Sequence, residues 1–408
     1  MTSGGNRYPA KADLGAGQVQ ACWRDLIAPV SATGARTTNA TVPATACHDR
    51  LVGDGIDLSA YNLAEMAADV EDVRTALAID RWTLAMRGAS SSVGFEVMRR
   101  FPEHIQAAYF DSPDAPQVDL FSEAIIGTRY AIARLSEACG DDPRCTRSFP
   151  HLEETVRHDL VALHRDPARI PTAAGELTFR DTTLIRWIRE WLATSYTPSI
   201  VLTVMSHLPD EPAQGILSTL ADEALEQDDP LATWAADELT LNLGYAGPGY
   251  GSLAFTDGTY FSVVCHDELP FVDREDLREL VAGEPWFEGA YVDSPYVEVC
   301  ARWDVGRAPS DPHQPVTSDI PTLIVVGVAD PFSPVPLVEH AASGMTTAWV
   351  VAYPSWGHNP FSSDQPGSTE KCAWAIRASW IDDPPAPPDT SCIADVDPIE
   401  FEIDAGRR

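Results

Sequence analysis

Between Arg81 and Ser112 the chain reads as one uninterrupted structural unit. Trp82, Leu84 and Met86 mark an apolar strand, a turn follows at Gly88, a helix ends in Arg99-Arg100-Phe101-Pro102, and a second strand closes at Phe110-Asp111. A strand, turn, helix and strand in that order confine the chain to an α/β architecture, with the turn raised above the sheet at the N-terminus of the helix behind it. The turn itself reads Gly88-Ala89-Ser90-Ser91-Ser92. Its plainest interpretation is a glycine supplying positive φ and three serines making a polar helix start.

Laid out without gaps, the same run resembles the nucleophile elbow of the α/β-hydrolases, in the secreted tripeptidyl-aminopeptidase-like branch of that superfamily. There the stretch carries Gly-x-Ser-x-Gly, followed by a helix ending in Arg-Tyr/His-Pro-Glu. Trp82, Leu84, Glu96, Arg99, Arg100, Pro102, Glu103, Asp111 and Ser112 fall where the family has them, whereas the three key positions are Met86, Gly88 and Ser90. The resemblance therefore implies that Gly88 holds the nucleophile position and that the amide of Ala89 is the one oxyanion donor left. A second register makes Ser90 the nucleophile of Gly88-Ala89-Ser90-Ser91-Ser92. It keeps the strand's facing but rotates the helix by about 200° at 3.6 residues per turn, so the ungapped register is preferred.

Two later segments extend the resemblance. Pro321 to Gly327 is an apolar, β-branched run suited to a buried parallel strand, and it leads into Val328-Ala329-Asp330-Pro331-Phe332-Ser333-Pro334. That matches the family's Gly-x-x-Asp-Pro-x-x-Pro, which carries the triad acid. A second buried strand, Thr347 to Tyr353, precedes Ser355-Trp356-Gly357-His358, where the family has Gly-x-Gly-His with the triad histidine. The implied pair is Asp330 against His358 at the sheet's C-terminal edge, the carboxylate fixing the tautomer of the ring. Asp257-Gly258-Thr259-Tyr260 followed by Cys265-His266-Asp267 resembles the family's Asp-Gly-x-Tyr and Cys-x-Asp. It offers Asp267 or Glu268 for a substrate ammonium, against the simpler role of an acidic turn beside a disulfide.

At 408 residues the chain is long for a single core. Residues 1–113 and 316–408 are expected to form an α/β-hydrolase parallel sheet with its N-terminal strands reduced or absent, and 114–315 a mostly helical cap. Helical segments are expected near 119–139, 151–165, 182–206, 213–227, 231–243 and 273–282, after an amphipathic helix from Asn62 to Leu77 and a short helical piece near Cys47–Leu51. Trp187 and Trp191 are the cap aromatics offered as pocket walls, with core packing the alternative. The family begins with strands and a Gly-Gly-Pro-Gly-Gly oxyanion loop, of which Ser3 to Pro9 would be the tail end. Without those strands Trp82 starts an exposed apolar edge that a partner, an oligomer or another segment would cover.

A formal charge of −33 excludes nucleic acid and anionic membrane surfaces as expected partners. Lys11 and Lys371 are the only lysines, which disfavours Schiff-base chemistry. No run has the length of a membrane-spanning helix, and Met1-Thr2-Ser3-Gly4-Gly5 lacks signal-peptide character. Eight cysteines without a Cys-x-x-Cys pair argue against zinc or redox motifs, and no metal or cofactor is expected. Their spacing invites four local pairs: Cys22–Cys47, Cys139–Cys145, Cys265–Cys300 and Cys372–Cys392. The resembling family is exported and has cysteines at similar places, which points outside the cytosol. Three functions fit. One is a His358/Asp330 general-base enzyme acting on a small molecule or short peptide by elimination, isomerisation or cyclisation. The others are a Ser90 hydrolase or aminopeptidase and a non-catalytic binding protein.

Overall fold

The computed structural model describes residues 41–172, 175–193, 257–293, 296–354, 357–358, 368–396 and 401. Four parallel strands form its sheet in the order β1 (Trp82–Arg87), β2 (Ile105–Asp111), β5 (Thr322–Gly327) and β6 (Ala348–Tyr353). The strands run through the core to different degrees. All six residues of β5 are buried, as a strand covered on both faces requires, whereas β1 has one buried residue and an exposed Ala85. Among the described residues β1 pairs only with β2, so it is the edge.

Helices close both faces. On one side Phe95 and Phe110 stack with their ring centroids 4.3 Å apart, in a cluster with Leu84, Ile324 and Val326. That cluster is covered by α2 (Leu63–Ala76) and α3 (Ser90–Arg100). Asn62 caps α2 by accepting the Glu65 amide at 3.0 Å, which satisfies one of the helix's orphan donors. Only half of its apolar stripe is used: Leu63 and Met66 are buried, but Val73 and Leu77 face solvent. On the other side Ile376 and Trp380 of α11 (Ser368–Asp382) pack on Tyr109, Leu323 and Tyr353.

Between β2 and β5 lies the expected helical insertion, with a core of its own. It starts with α4 (Leu120–Asp141), capped by Asp119, which accepts the amides of Phe121 and Ser122 at 3.0 and 2.9 Å. It continues through α5 (Pro143–Ser148) and α6 (Leu152–Arg165) to an antiparallel hairpin, β3 (Ala168–Thr172) and β4 (Gly175–Phe179). That hairpin lies between two of the expected helical segments: five residues of each strand pair where no strand was anticipated. Then follow α7 (Asp181–Ala193), α8 (Asp257–Val263), α9 (Arg274–Leu280) and α10 (Tyr296–Trp303). The segments expected at 213–227 and 231–243 lie outside the described residues, as does the end of 182–206.

The piece expected near Cys47 is a full helix, α1 (Thr41–Gly53). Ala44, Cys47 and Leu51 form one buried stripe on it, and they join the core of the insertion rather than that of the sheet. Disulfides Cys139–Cys145, Cys265–Cys300 and Cys372–Cys392 are formed. Cys47 is also disulfide-bonded, and its expected partner, Cys22, lies outside the described residues.

Candidate active site

The C-terminal ends of all four strands of the sheet converge on one edge, and the sequence-predicted residues follow them. Gly88 directly follows β1 with φ +50°, a conformation that glycine adopts without a Cβ penalty. Its amide donates to Asp111 O at 2.9 Å, so the turn is fixed to the end of β2. Ala89 is the N-cap of α3, and its amide belongs to the open N-terminal turn of that helix.

The three serines of the turn make short-range bonds. Ser90 Oγ donates to Arg87 O at 2.8 Å and accepts the Arg87 amide at 2.9 Å. Ser91 is fully buried, donates to Gly88 O and accepts the Asp114 amide at 3.1 Å. Ser92 Oγ lies 3.4 Å from Asp114 Oδ2.

Asp330, three residues beyond Gly327 at the end of β5, is buried, and the ring of His358 is nearly so, at 7 % exposure. His358 Nδ1 lies 3.0 and 3.1 Å from the two carboxylate oxygens. Oδ1 of Asp330 also accepts the amides of Phe332 and Ser333 at 2.8 and 3.0 Å. Burial alone would raise this carboxyl. The charge and hydrogen bond of His358, the Phe332 amide and the Ser112 hydroxyl outweigh it and hold Asp330 below its ordinary range.

The histidine loop is fastened to the insertion. His358 N donates to Ala193 O at 2.9 Å, at the C-terminal end of α7. Gly357 sits so close that a Cβ there would meet Leu192 O at 2.3 Å, and only glycine fits. Phe332 lies 4.9 Å from the His358 ring, centroid to centroid, and the Arg189 guanidinium rests 3.7 Å above Phe332.

On the Ser92 side lies a small cleft of ≈ 40 Å³ with Ser92, Asp114, Glu123, Glu268 and His313 on its walls; His358 and Asp330 are not among its lining residues. Burial pushes Asp114 up to about 6 and Glu123 well above the usual range. Glu268 accepts the Leu120 amide at 3.2 Å and lies 2.9 Å from His313 Nε2. Burial opposes charge on His313, but its bond to Glu268, reinforced by Asp311 and Asp119, pushes it up to about 9. Asp267 is elsewhere: it is buried and accepts the Leu63 amide at 2.9 Å, joining the insertion to the start of α2. Trp187 packs edge-on against Phe179 within the core of the insertion, at 5.3 Å between centroids. Trp191 lies on α7, but its side chain is outside the described residues.

Sequence reasoning missed Asp114, Glu123 and His313, because they are brought to the cleft from distant segments and no short motif contains them. It also missed Asp111, which is buried with one carboxylate oxygen unpartnered, and whose carboxyl burial pushes up to about 7. Its position after an apolar strand was the available signal. Among the described residues no group of three or more His, Cys, Asp or Glu is placed to hold a metal.

Residues 285–392 match the family model described as TAP-like protein. No curated protein matches the chain. Among solved structures, it is similar to a thermophilic esterase from Thermogutta terrifontis at 14 % identity, over 80 % of this chain and 74 % of that one, with TM-score 0.29. An epoxide hydrolase from Bacillus megaterium in complex with an inhibitor is similar at 13 % identity, over 89 % and 88 % of the two chains, with TM-score 0.29. An esterase from Exiguobacterium antarcticum is similar at 12 % identity, over 78 % and 74 %, with TM-score 0.27.

Proposed function

We propose that this chain, an α/β-hydrolase by fold and TAP-like in its C-terminal part, is an enzyme that uses His358 as a general base held by Asp330, without a serine nucleophile. The observation that carries the reading is the contrast between a buried, fully bonded acid–histidine pair and a turn after β1 occupied by glycine. With Nδ1–H donated to Asp330, the lone pair for proton abstraction is on Nε2. The carboxylate is buried and held ionised, so it stabilises the imidazolium formed when the base takes a proton. Proton abstraction of this kind suits elimination, isomerisation or cyclisation of a small molecule or short peptide. Ser90 is spent on the backbone of Arg87, which argues against it as nucleophile. Glu268 and Asp114 on the cleft wall supply acidic groups for the substrate's polar end.

The test combines labelling with mutation. The parent protein should not react with a fluorophosphonate. Against a panel of small esters, epoxides and aminoacyl amides, any turnover found should fall by about 10²–10⁴ in His358→Ala and stay near the parent level in Ser90→Ala. An adduct on Ser90, Ser91 or Ser92 would replace this reading with that of a serine hydrolase. Binding without turnover, seen as thermal stabilisation by a panel compound, would make the chain a binding protein.

A further inference from the structure

We infer that the insertion sets the dyad: Gly127 on α4 and Gly357 in the histidine loop are positioning residues, each keeping open the space in which a helix of the insertion lies against the backbone beside one member of the pair. This rests on the dyad reading above. Gly127 is buried within α4, where glycine destabilises a helix relative to alanine, so α4 itself gives no reason for it. The reason lies across the contact. A Cβ at Gly127 would meet Pro331 O at 2.1 Å and Pro331 C at 2.9 Å, and Pro331 directly follows Asp330. Gly140, near the end of the same helix, meets nothing within 4 Å.

The histidine is set in the same way by another helix. A Cβ at Gly357 would meet Leu192 O at 2.3 Å and Ala193 O at 2.8 Å, and the next residue, His358, donates its amide to Ala193 O at 2.9 Å. Arg189, one turn back on α7, rests its guanidinium 3.7 Å above Phe332, whose ring lies 4.9 Å from that of His358. α7 therefore touches the loops of both dyad members, and α4 touches the loop of the acid. The two helices are packed together as well, with Ile125 of α4 and Ile188 of α7 buried in one core. A methyl group at either glycine needs about 1 Å of extra room before its contact with the carbonyl oxygen reaches an ordinary ~3.3 Å. A close-packed interior has low compressibility and passes such strain on, here to the backbone beside Asp330 or His358. Nδ1 of His358 lies 3.0 and 3.1 Å from the Asp330 oxygens, and a hydrogen bond weakens steeply when its geometry is lost. The geometry of the pair is thus a property of the insertion as much as of the sheet.

Three alanine variants of the full chain test this: Gly127→Ala, Gly357→Ala and, facing open space on α4, Gly140→Ala. The readout is the downfield Nδ1 proton resonance of His358, assigned by its absence in His358→Ala and recorded where circular dichroism shows the variant folded. It should be lost or moved upfield in Gly127→Ala and Gly357→Ala, and stay at the parent position in Gly140→Ala. A parent-like resonance in a folded Gly127→Ala or Gly357→Ala overturns the inference, as does its loss in Gly140→Ala. Should a glycine variant fail to fold, or the resonance exchange too fast to be seen, hydrogen exchange of the parent decides. The His358 amide should then exchange no faster than the amides of α7, and exchange ahead of them overturns the inference. Neither readout needs turnover, so a failure of His358→Ala to lower activity would count against the dyad mechanism while leaving this result separate.

Discussion

Neighbouring strands of the sheet end in the same backbone conformation and fill it with opposite residues. Arg87 pairs with Asp111 in the register of β1 and β2, and the next residue on each strand is left-handed: Gly88 at φ +50° and Ser112 at φ +48°. Each amide reaches one strand further across the sheet, Gly88 N to Asp111 O and Ser112 N to Val325 O. At the first position strain has been removed; at the second it is retained. A non-glycine residue in this region costs about 1–3 kcal/mol, and at Ser112 that cost is borne inside the junction of β2 and β5, where the residue is buried and its amide is bonded to Val325 O. A serine hydrolase needs its strained serine on the nucleophile strand. Here the strained serine is one strand over, directly after β2.

The largest way to break this contrast is to put a serine back at the first turn. Gly88→Ser should convert a protein that does not react with an organophosphonate into one that labels stoichiometrically, with the adduct on residue 88. Mass spectrometry of the intact and digested protein checks both. The same substitution should lower stability by about 1 kcal/mol, since serine enters the left-handed region with a Cβ. Labelling of the parent at Ser90 would show that the first turn had kept its nucleophile in a shifted register.

A smaller effect is expected where the two turns are tied together. Ser91 donates to Gly88 O from one side and accepts the Asp114 amide from the other, all within a fully buried hydroxyl. Ser91→Ala leaves both backbone groups without that partner and should cost about 1–3 kcal/mol, read from urea unfolding. Ser90→Ala, in a part-buried turn with bonds only to Arg87, should cost less. If the two variants lose equal stability, Ser91 does not join the turns and their matching geometry arises from the strands alone.

What could be read before the structure follows from where each signal lies. β5 was legible as a β-branched run, β6 as a second buried strand, β1 and β2 as the apolar arms of one strand-turn-helix-strand unit, and Asp330 and His358 because the acid and histidine occupy short motifs after β5 and β6. The pairing of Cys265 with Cys300 and of Cys372 with Cys392 was legible from proximity in sequence. The β3–β4 hairpin was not, since five-residue strands inside a helical stretch give periodicity too short a run. Asp267 stood beside a disulfide and invited a substrate role, yet it bonds Leu63 N, more than two hundred positions away. His313 and Glu268 meet only through the folded insertion. The strain at Ser112 had no sequence signal at all, because a serine after a strand is ordinary until its φ is known.

The smallest expected effect concerns the residue between the two turns. Asp111 gives its carbonyl to Gly88 N, precedes Ser112, and keeps a buried carboxyl whose Oδ1 is unpartnered. Burial, joined by the charge of Asp330 and opposed by Arg87, His358 and Arg377, pushes that carboxyl up to about 7. An unfolded aspartate titrates at about 3.9. Between those values the folded state holds a proton that the unfolded state has released, so stability falls as pH rises from about 4 to about 7, at no more than about 1.4 kcal/mol per pH unit. Asp330 works in another window: its folded value is lowered, so its contribution is present above about 3.9 and is lost as pH falls through the folded value. Asp114, pushed up to about 6, adds to the decline that Asp111 causes. His313 supports folding below about 6.5 and loses that contribution as pH rises towards 9. Asp111→Asn removes one share of this slope while keeping the shape of the side chain. Urea midpoints should therefore show the variant gaining on the parent at pH 7.5, with the difference shrinking towards pH 4.5. A difference independent of pH would mean that Asp111 ionises normally beside Arg87, and that the edge between the two turns carries a charge rather than a proton.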